Sequence, residues 1–395
     1  MLDHALRGSK KYWAWIGLLL AVIGAGVLAY SFQLRDGLTH TGMSRDVSWG
    51  LYIAQFTFMV GVAAAAVMVV IPYYLHDYKV FGKMVILAEF LAVPAVLVCM
   101  LFIAADMGQP MRMLNVMLHP TLNSVMFYDM SVLFGYLGIN LIVGCISLDC
   151  ERKGVHYPSW LKFFIFLSVP WAVSIHTVTA FLYAGLEARP FWMTAILAPR
   201  FLASAFAAGP SLLIILSLIV RKVSRFDPGE QAIKTLATIV TYAMCLNIFF
   251  VGLEVFTVFY ADMPHHMEAF VYLFKGIEHH GEVYNNLVPF MWFGQILGVI
   301  AAIFLVIPAT RKNLTVLPFL CGAVITALWL EKGLGMVLAG FVPSPLMHIT
   351  EYVPTLIELA VTVGIYAIGA LTLTVLYKII IGVREHGLPQ AEKQQ

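Results

Sequence analysis

The chain has 395 residues, 61% of them hydrophobic and only 12% charged, with a formal net charge of +2. A soluble domain carries about 25% charged residues, so this composition excludes a water-soluble globule; no nucleic-acid partner is expected, and the near-zero net charge hides an uneven placement of Lys and Arg. It describes a polytopic protein whose surroundings are the lipid bilayer.

Ten runs of roughly bilayer-spanning length follow one another along the chain. The first is preceded by RGSKKYW, which resembles the basic start of a signal peptide. The apolar run behind it is too long, however, and no A-x-A site follows. It reads as an uncleaved first helix over 13–33. Further spans are expected near 50–74, 83–106, 124–148, 160–185, 194–220, 235–260, 285–308, 314–340 and 353–380. Strand-length alternation is absent, so helices satisfy the backbone in lipid. The expected fold class is an all-α membrane protein.

Orientation follows from Lys and Arg. The N-terminus, the connections near 75–83, 149–162, 221–234 and 309–313, and the C-terminus share one side and hold 17 of the 24 Lys and Arg residues, Lys393 among them. The other side has Arg35, Arg45, Arg112, Arg189, Arg200 and Lys275, and Lys332 lies within a span. The positive-inside rule puts both termini in the cytoplasm, as expected of a multi-pass protein of the inner (cytoplasmic) membrane. The C-terminal EKQQ carries no lipidation motif.

The fifth span contains FLSVPWAVSIHTVTAFLYAGL, with His176 in its middle. An ionisable group at that depth needs a partner, a cavity or a ligand. At ~1.5 Å rise per residue, Asp129 lies roughly 8 Å in from the outer face, His176 about 13 Å and Arg200 about 9 Å. Asp106 ends the third span on that side, and Gln55 lies early in the second. A carboxylate, an imidazole and a cation at one level can take and give protons near neutral pH. The alternative is that they pair and hold helices together. Glu254, Glu331, Lys332 and Glu358 form a second outer group, and Glu89 stands alone in the inner third of the third span.

Of twelve His, only His176 is well inside a span, so the facing partners that a b-type haem requires are missing. The five Cys show no C-x-x-C and read as small buried hydrophobes, so no iron–sulfur cluster is expected. The His-rich loop DMPHHMEAFVYLFKGIEHHGE reads as a docking surface or solvated loop, and no metal site is expected.

SRDVSWGLYIAQFTFMVGVAAAAVMVV (44–70) and ADMGQPMRMLNVMLHPTLNSVMFYDMSV (105–132) resemble the polysulfide-reductase NrfD-type membrane subunits, which react with quinone and carry no haem. ERKGVHYPSW, the His176 helix and FWMTAILAPRFLASAFAAGP look closest to the DsrP branch, which serves the DsrMKJOP complex of sulfate reducers. The resemblance covers essentially the whole chain. It implies two four-helix bundles plus two extra helices: 1–49 as first helix and periplasmic loop, 50–185 as a bundle with a quinone pocket near the periplasmic face, 194–340 as a second bundle, and 341–395 as last helix and cytoplasmic tail.

The resemblance also implies the chemistry and the company. Menaquinone would exchange electrons with a periplasmic ferredoxin-like iron–sulfur subunit, beside membrane cytochrome b, cytochrome c and cytoplasmic iron–sulfur subunits. The family His and acid fall on His176 and Asp129. His176 would bond a quinone carbonyl, Asp129 would be its acid/base partner and Arg200 would tune both, with Gln55 and Asp106 at the same level. Ser174, Thr177 and Thr179 would leave room for a ring, and Pro170 would kink the helix open. Glu89, Glu254, Glu331 and Glu358 are candidates for a proton route.

Three readings stay open: a quinone-linked redox subunit, a secondary transporter with a buried charged pathway, and a structural anchor for redox partners. The buried polar groups are skewed outward rather than central, which favours the first.

Overall fold

In a computed structural model the chain is described over residues 2–386; the EKQQ tail and Lys393 lie outside the described residues. Ten helices among the described residues are long and apolar enough to cross a membrane. They are span 1 (Lys10–His40), span 2 (Leu51–Leu75), span 3 (Lys79–Asp106), span 4 (Val125–Lys153), span 5 (Leu161–Ala184), span 6 (Leu197–Val223), span 7 (Glu230–Tyr260), span 8 (Val288–Val306), span 9 (Leu317–Ala339) and span 10 (Leu356–Glu385). Every expected span is present. The protein is an all-α, multi-pass membrane protein.

Local signals set the ends. Ser9 caps span 1 by accepting from the Tyr12 backbone N–H at 3.3 Å. Span 4 stops at Gly154, whose φ of 67° is the left-handed conformation that suits glycine. Span 5 is one helix with Pro170 inside it, and Ser174 donates back to the Pro170 carbonyl at 2.8 Å. The His-rich loop folds into a short helix, Pro264–Phe274, and a two-stranded hairpin, Ile277–His279 with Glu282–Tyr284.

Spans 2, 3, 4 and 5 pack on one another in turn, and so do spans 6, 7, 8 and 9, with span 6 closing onto span 9. Span 2 joins the two groups by packing on span 6 and on span 9. Spans 1 and 10 pair at the edge, and span 10 leans on span 3. The edge pair meets so closely that a Cβ on Gly26 would lie 2.6 Å from the Gly364 Cα. Spans 2 and 3 are the centre, with 83% and 78% of their most apolar windows buried against 22% for span 1.

The connections sort onto two ends. At one end Arg384 pairs with Glu151 at 2.9 Å and donates to the Lys83 carbonyl at 2.7 Å, and Glu385 accepts from the Arg225 backbone at 3.0 Å. This end is the terminal face. At the other, the distal face, the Tyr352 hydroxyl accepts from the Leu51 N–H at 2.8 Å and Trp192 donates to the Met336 carbonyl at 2.8 Å.

Candidate functional site

A cavity of about 220 Å³ opens near the distal ends of spans 2 to 5. Span 3 contributes Met100, Ile103 and Asp106, span 4 contributes Met126, Asp129 and Met130, span 5 contributes Leu182, and Trp49 precedes span 2. Met107, Met113 and Val116 from the connection after span 3 also line it, as do Ile53 and Phe56 of span 2. The lining is apolar and rich in methionine, a side chain that adapts to irregular or flat shapes. Two carboxylates interrupt it.

Asp129 is buried, and its Oδ1 lies 2.7 Å from the Thr179 hydroxyl. The same hydroxyl is 2.7 Å from the Ile175 carbonyl, one turn back on span 5. Thr179 has one proton for two acceptors. It bonds an ionised Asp129 as donor, and bonds a protonated Asp129 as acceptor while donating to Ile175. The contact therefore survives a proton arriving at or leaving Asp129. Asp106 is less provided for: its Oδ1 is buried without a partner among the described residues. A buried oxygen in that condition costs about 1–3 kcal/mol, which a water or ligand in the cavity would recover.

His176 is fully buried, but it stands behind this wall instead of in it. Its Nδ1 is 2.9 Å from the Ala172 carbonyl, which can only accept, so Nδ1 carries hydrogen. Nε2 is then the acceptor of the neutral ring, and it has no partner among the described residues. Asp129 bonds Thr179, three residues on from His176, and not His176 itself. Ser174 and Thr177 back-bond their own helix, so of the three hydroxyls Thr179 alone serves the acid.

Arg200 was expected beside Asp129 and His176. The structure seats it against Glu254, in a short ion pair, and Glu331, at 3.0 Å. Span 6 turns this residue toward spans 7 and 9, where two carboxylates hold one guanidinium. Glu331 also accepts from Asn247 at 3.3 Å and Gln295 at 3.4 Å. Span 9 is π-helical over Trp329–Gly335, and this wider turn lets neighbouring Glu331 and Lys332 both face inward. Lys332 Nζ lies 4.2 Å from the centre of the Phe201 ring and has no hydrogen-bond partner among the described residues. The space among these groups is about 10 Å³, room for about one water.

Two further candidates are accounted for elsewhere. Gln55 faces away from the cavity, accepting from Trp329 at 2.8 Å and from Tyr366 at 2.6 Å. Glu358 is a clasp for the distal loops, accepting from the Gly42 N–H at 2.7 Å, the Tyr352 hydroxyl at 2.6 Å and the Thr355 N–H at 2.8 Å. Burial and the Glu358 charge push the Tyr352 phenol well above its usual range, so it stays a donor to Glu358.

The chain matches the family described as "Polysulphide reductase, NrfD" over residues 39–342. The protein belongs to the NrfD family. That range contains spans 2 to 9, and with them the cavity and the Arg200 cluster, while span 10 and nearly all of span 1 fall outside it. Among relatives, the chain is 26% identical to a dimethyl sulfoxide reductase membrane subunit of Halobacterium salinarum, over 90% of this chain and 88% of that one. It is 21% identical to a selenate reductase subunit of Mesobacillus selenatarsenatis, over 94% of each. It is 22% identical to the "Hdr-like menaquinol oxidoreductase integral membrane subunit" of Archaeoglobus fulgidus, over 98% of this chain and 97% of that one.

Proposed function

We propose that this NrfD-family protein is the quinone-reactive membrane subunit of a respiratory complex, and that the Asp106–Asp129 cavity receives the quinone ring. The observation that carries this reading is the orphaned Asp106 oxygen beside the Thr179-held Asp129 in an otherwise apolar cavity. Such a wall suits a flat apolar ring with polar oxygens at its edges. A cavity of about 220 Å³ takes the ring and leaves a prenyl tail to pass outward between helices. The menaquinol named for the Archaeoglobus fulgidus relative supports a naphthoquinone as the ring.

A bound quinone supplies a couple that takes up two electrons and two protons. The chain's residues supply the proton handling. Asp106 would hold a ring oxygen, accepting from a quinol hydroxyl or, when protonated, donating to a quinone carbonyl, and Asp129 would give or take a proton while Thr179 reverses its hydrogen bond to follow it. His176 Nε2 is a proton acceptor one turn behind Thr179. Methionine and aromatic side chains exclude bulk water.

The electron partner docks on the distal face. The connection over the cavity exposes Met111, Leu118 and Leu122 at 90%, 68% and 66% of their surface. Met113 and Val116 of the same connection reach down into the cavity wall. This suits an iron–sulfur subunit seated on the loop, near enough to exchange electrons with the ring. With the Lys and Arg bias, the distal face is periplasmic and both termini are cytoplasmic. The sequence resemblance to the DsrP branch supports a place in sulfate- or sulfite-linked electron transport, with cytochrome and cytoplasmic iron–sulfur companions. The one-water space in the Arg200 cluster gives a transported solute no room.

The test is to purify the protein in mild detergent with its companions, extract quinone, and cross-link a photoreactive quinone analogue. Labelling at Met113, Met126 or Met130 is expected, and labelling confined to other spans overturns the assignment. Reporters fused after Lys222 and Lys312 should read cytoplasm, and one near Glu278 periplasm. The opposite result at two of the three reverses the sidedness.

A further inference from the structure

A cavity of about 460 Å³ lies between spans 9 and 10, with spans 2, 3 and 6 behind it. On span 3 its lining runs from Leu91 to Val98 and on span 10 from Tyr366 to Leu373, the middle of each crossing. Seven residues of helix rise ~10 Å, so the cavity straddles the centre of a hydrocarbon layer ~30 Å thick. Span 10 presses on span 3 at Gly369, where a Cβ would lie 2.5 Å from Val98 Cγ2, but it does not pack closely on span 9. The cleft between them opens sideways to lipid at Thr326, an exposed residue of span 9.

The two ends of the cleft differ. At the distal end Gln55 Oε1 accepts from Trp329 of span 9 at 2.8 Å and from Tyr366 of span 10 at 2.6 Å, which bridges the two spans. Toward the terminal face the walls are aliphatic: Leu91, Leu212, Ile325 and Leu373. A chain entering the cleft therefore comes from the terminal-face leaflet and ends at the Gln55 bridge.

The lining also decides what kind of molecule fits. An unfilled space of this size forfeits van der Waals contact along its whole wall. Water finds few partners there, since the polar side chains of the lining are Thr326, Trp329 and Tyr366. The Trp329 N–H and the Tyr366 hydroxyl proton are spent on Gln55, which leaves one threonine hydroxyl for a quinone ring with an oxygen at each edge. A crossing helix needs the full ~30 Å, well beyond the height of the cavity. Flexible hydrocarbon chains meet every one of these conditions. At the terminal face, Lys222 stands in the last turn of span 6 and Lys312 just before span 9, both exposed. Basic residues between helices at that level attract anionic headgroups.

We propose that the cleft between spans 9 and 10 is a binding site for one anionic phospholipid of the terminal-face leaflet. Its chains fill the cavity as far as Gln55, and Lys222 and Lys312 hold its headgroup. The lipid supplies contact between span 10 and spans 2 and 9 that no side chain supplies. The site is independent of the quinone reading, because span 2 turns Phe58, Met59 and Val62 toward this cleft and Ile53 and Phe56 toward the distal cavity.

The experiment uses the purified complex, with its companion subunits, in nanodiscs of phosphatidylcholine. These are doped with a phosphatidylglycerol that carries a photoreactive diazirine near the end of one chain. Met59, Leu91 and Leu373 should be labelled saturably, and Phe293 on the exposed face of span 8 only in proportion to bulk lipid. Ala370→Trp should remove the saturable labelling and leave that at Phe293 unchanged. If this variant does not assemble, Thr326→Trp blocks the mouth from a position already open to lipid and should do the same. Lys222→Gln combined with Lys312→Gln should weaken retention of the lipid severalfold with normal quinol turnover. Lining residues labelled no more than Phe293 overturn the site. Equal saturable labelling by a choline analogue overturns the headgroup assignment. Saturable labelling by a photoreactive quinone that displaces the lipid overturns the phospholipid, and so does a disulfide from Thr326→Cys to a companion subunit.

Discussion

At the same depth, the two helix groups treat buried charge in opposite ways. Among spans 6 to 9, Arg200 is matched to Glu254 and Glu331, Asn247 and Gln295 add donors, and the space left holds one water. Among spans 3, 4 and 5, Asp129 has a single hydroxyl partner, Asp106 Oδ1 and His176 Nε2 have none among the described residues, and a cavity of about 220 Å³ stands beside them. Matched groups hold helices together and leave nothing to react. Unmatched groups beside a cavity retain bonding capacity for a ligand or a proton. The contrast separates helix adhesion from chemistry without reference to sequence position.

The largest effect should come from breaking the matched side. Arg200→Met strands two buried carboxylates, and removing one member of a buried ion pair costs about 3–5 kcal/mol. The yield of assembled protein should fall steeply, with little change in turnover per assembled molecule. Adding Glu254→Gln and Glu331→Gln to the same chain should recover most of the yield, because no buried carboxylate is then left without its counter-ion. Recovery of yield without recovery of turnover would move the Arg200 cluster into the chemistry.

Next is the unmatched side. Asp129→Asn and His176→Ala should each cut quinol-coupled electron transfer at least tenfold, about 1.4 kcal/mol of transition-state stabilisation, with normal assembly. Asp129→Glu keeps the acid and moves it by one methylene, so it should fall between. Full turnover in both Asp129→Asn and His176→Ala would remove these residues from the proton chemistry.

A smaller change is expected at Thr179. Thr179→Val keeps the shape and deletes the hydroxyl, a hydrogen bond worth about 1.5–3 kcal/mol to a charged group. If Asp129 works protonated for part of the cycle, only part of that is felt. Turnover should drop severalfold with unchanged assembly, and its pH profile should move toward that of Asp129→Asn. An unchanged profile would separate Thr179 from the acid.

The spans were legible because their signal is local: a run of apolar side chains fixes a crossing whatever packs against it. The polar residues were legible in depth for the same reason, since rise per residue is constant. Rotation about the helix axis was not. Arg200 and Asp129 do share a level, but span 6 turns Arg200 toward spans 7 and 9, and only the packed bundle decides that. Gln55 failed likewise, lying on the opposite face of span 2 from the cavity residues Ile53 and Phe56. The π-helical turn at Trp329–Gly335 left no mark in the apolar pattern, and ordinary helical spacing places Glu331 and Lys332 ~100° apart.

Lys332 gives the smallest expected effect and the sharpest use of the contrast. It is buried within the matched group, yet its Nζ has no acceptor among the described residues and rests 4.2 Å from the centre of the Phe201 ring. Lys332→Met therefore strands no carboxylate, because Arg200, Asn247 and Gln295 still serve Glu331. It gives up a cation–π contact of about 0.5–2 kcal/mol and relieves the cost of burying an unpaired ammonium, two terms of opposite sign. Thermal stability and yield should stay close to wild type, in contrast to Arg200→Met one helix away. A collapse in yield would mean that Lys332 is the true counter-ion of Glu331. Normal yield with a tenfold loss of turnover would place Lys332 with His176 on the unmatched side, since both are buried nitrogens without a partner and Lys332 Nζ comes within 3.5 Å of a Cβ placed on Gly61 of span 2. The boundary between adhesion and chemistry would then run through span 9, between Glu331 and its neighbour.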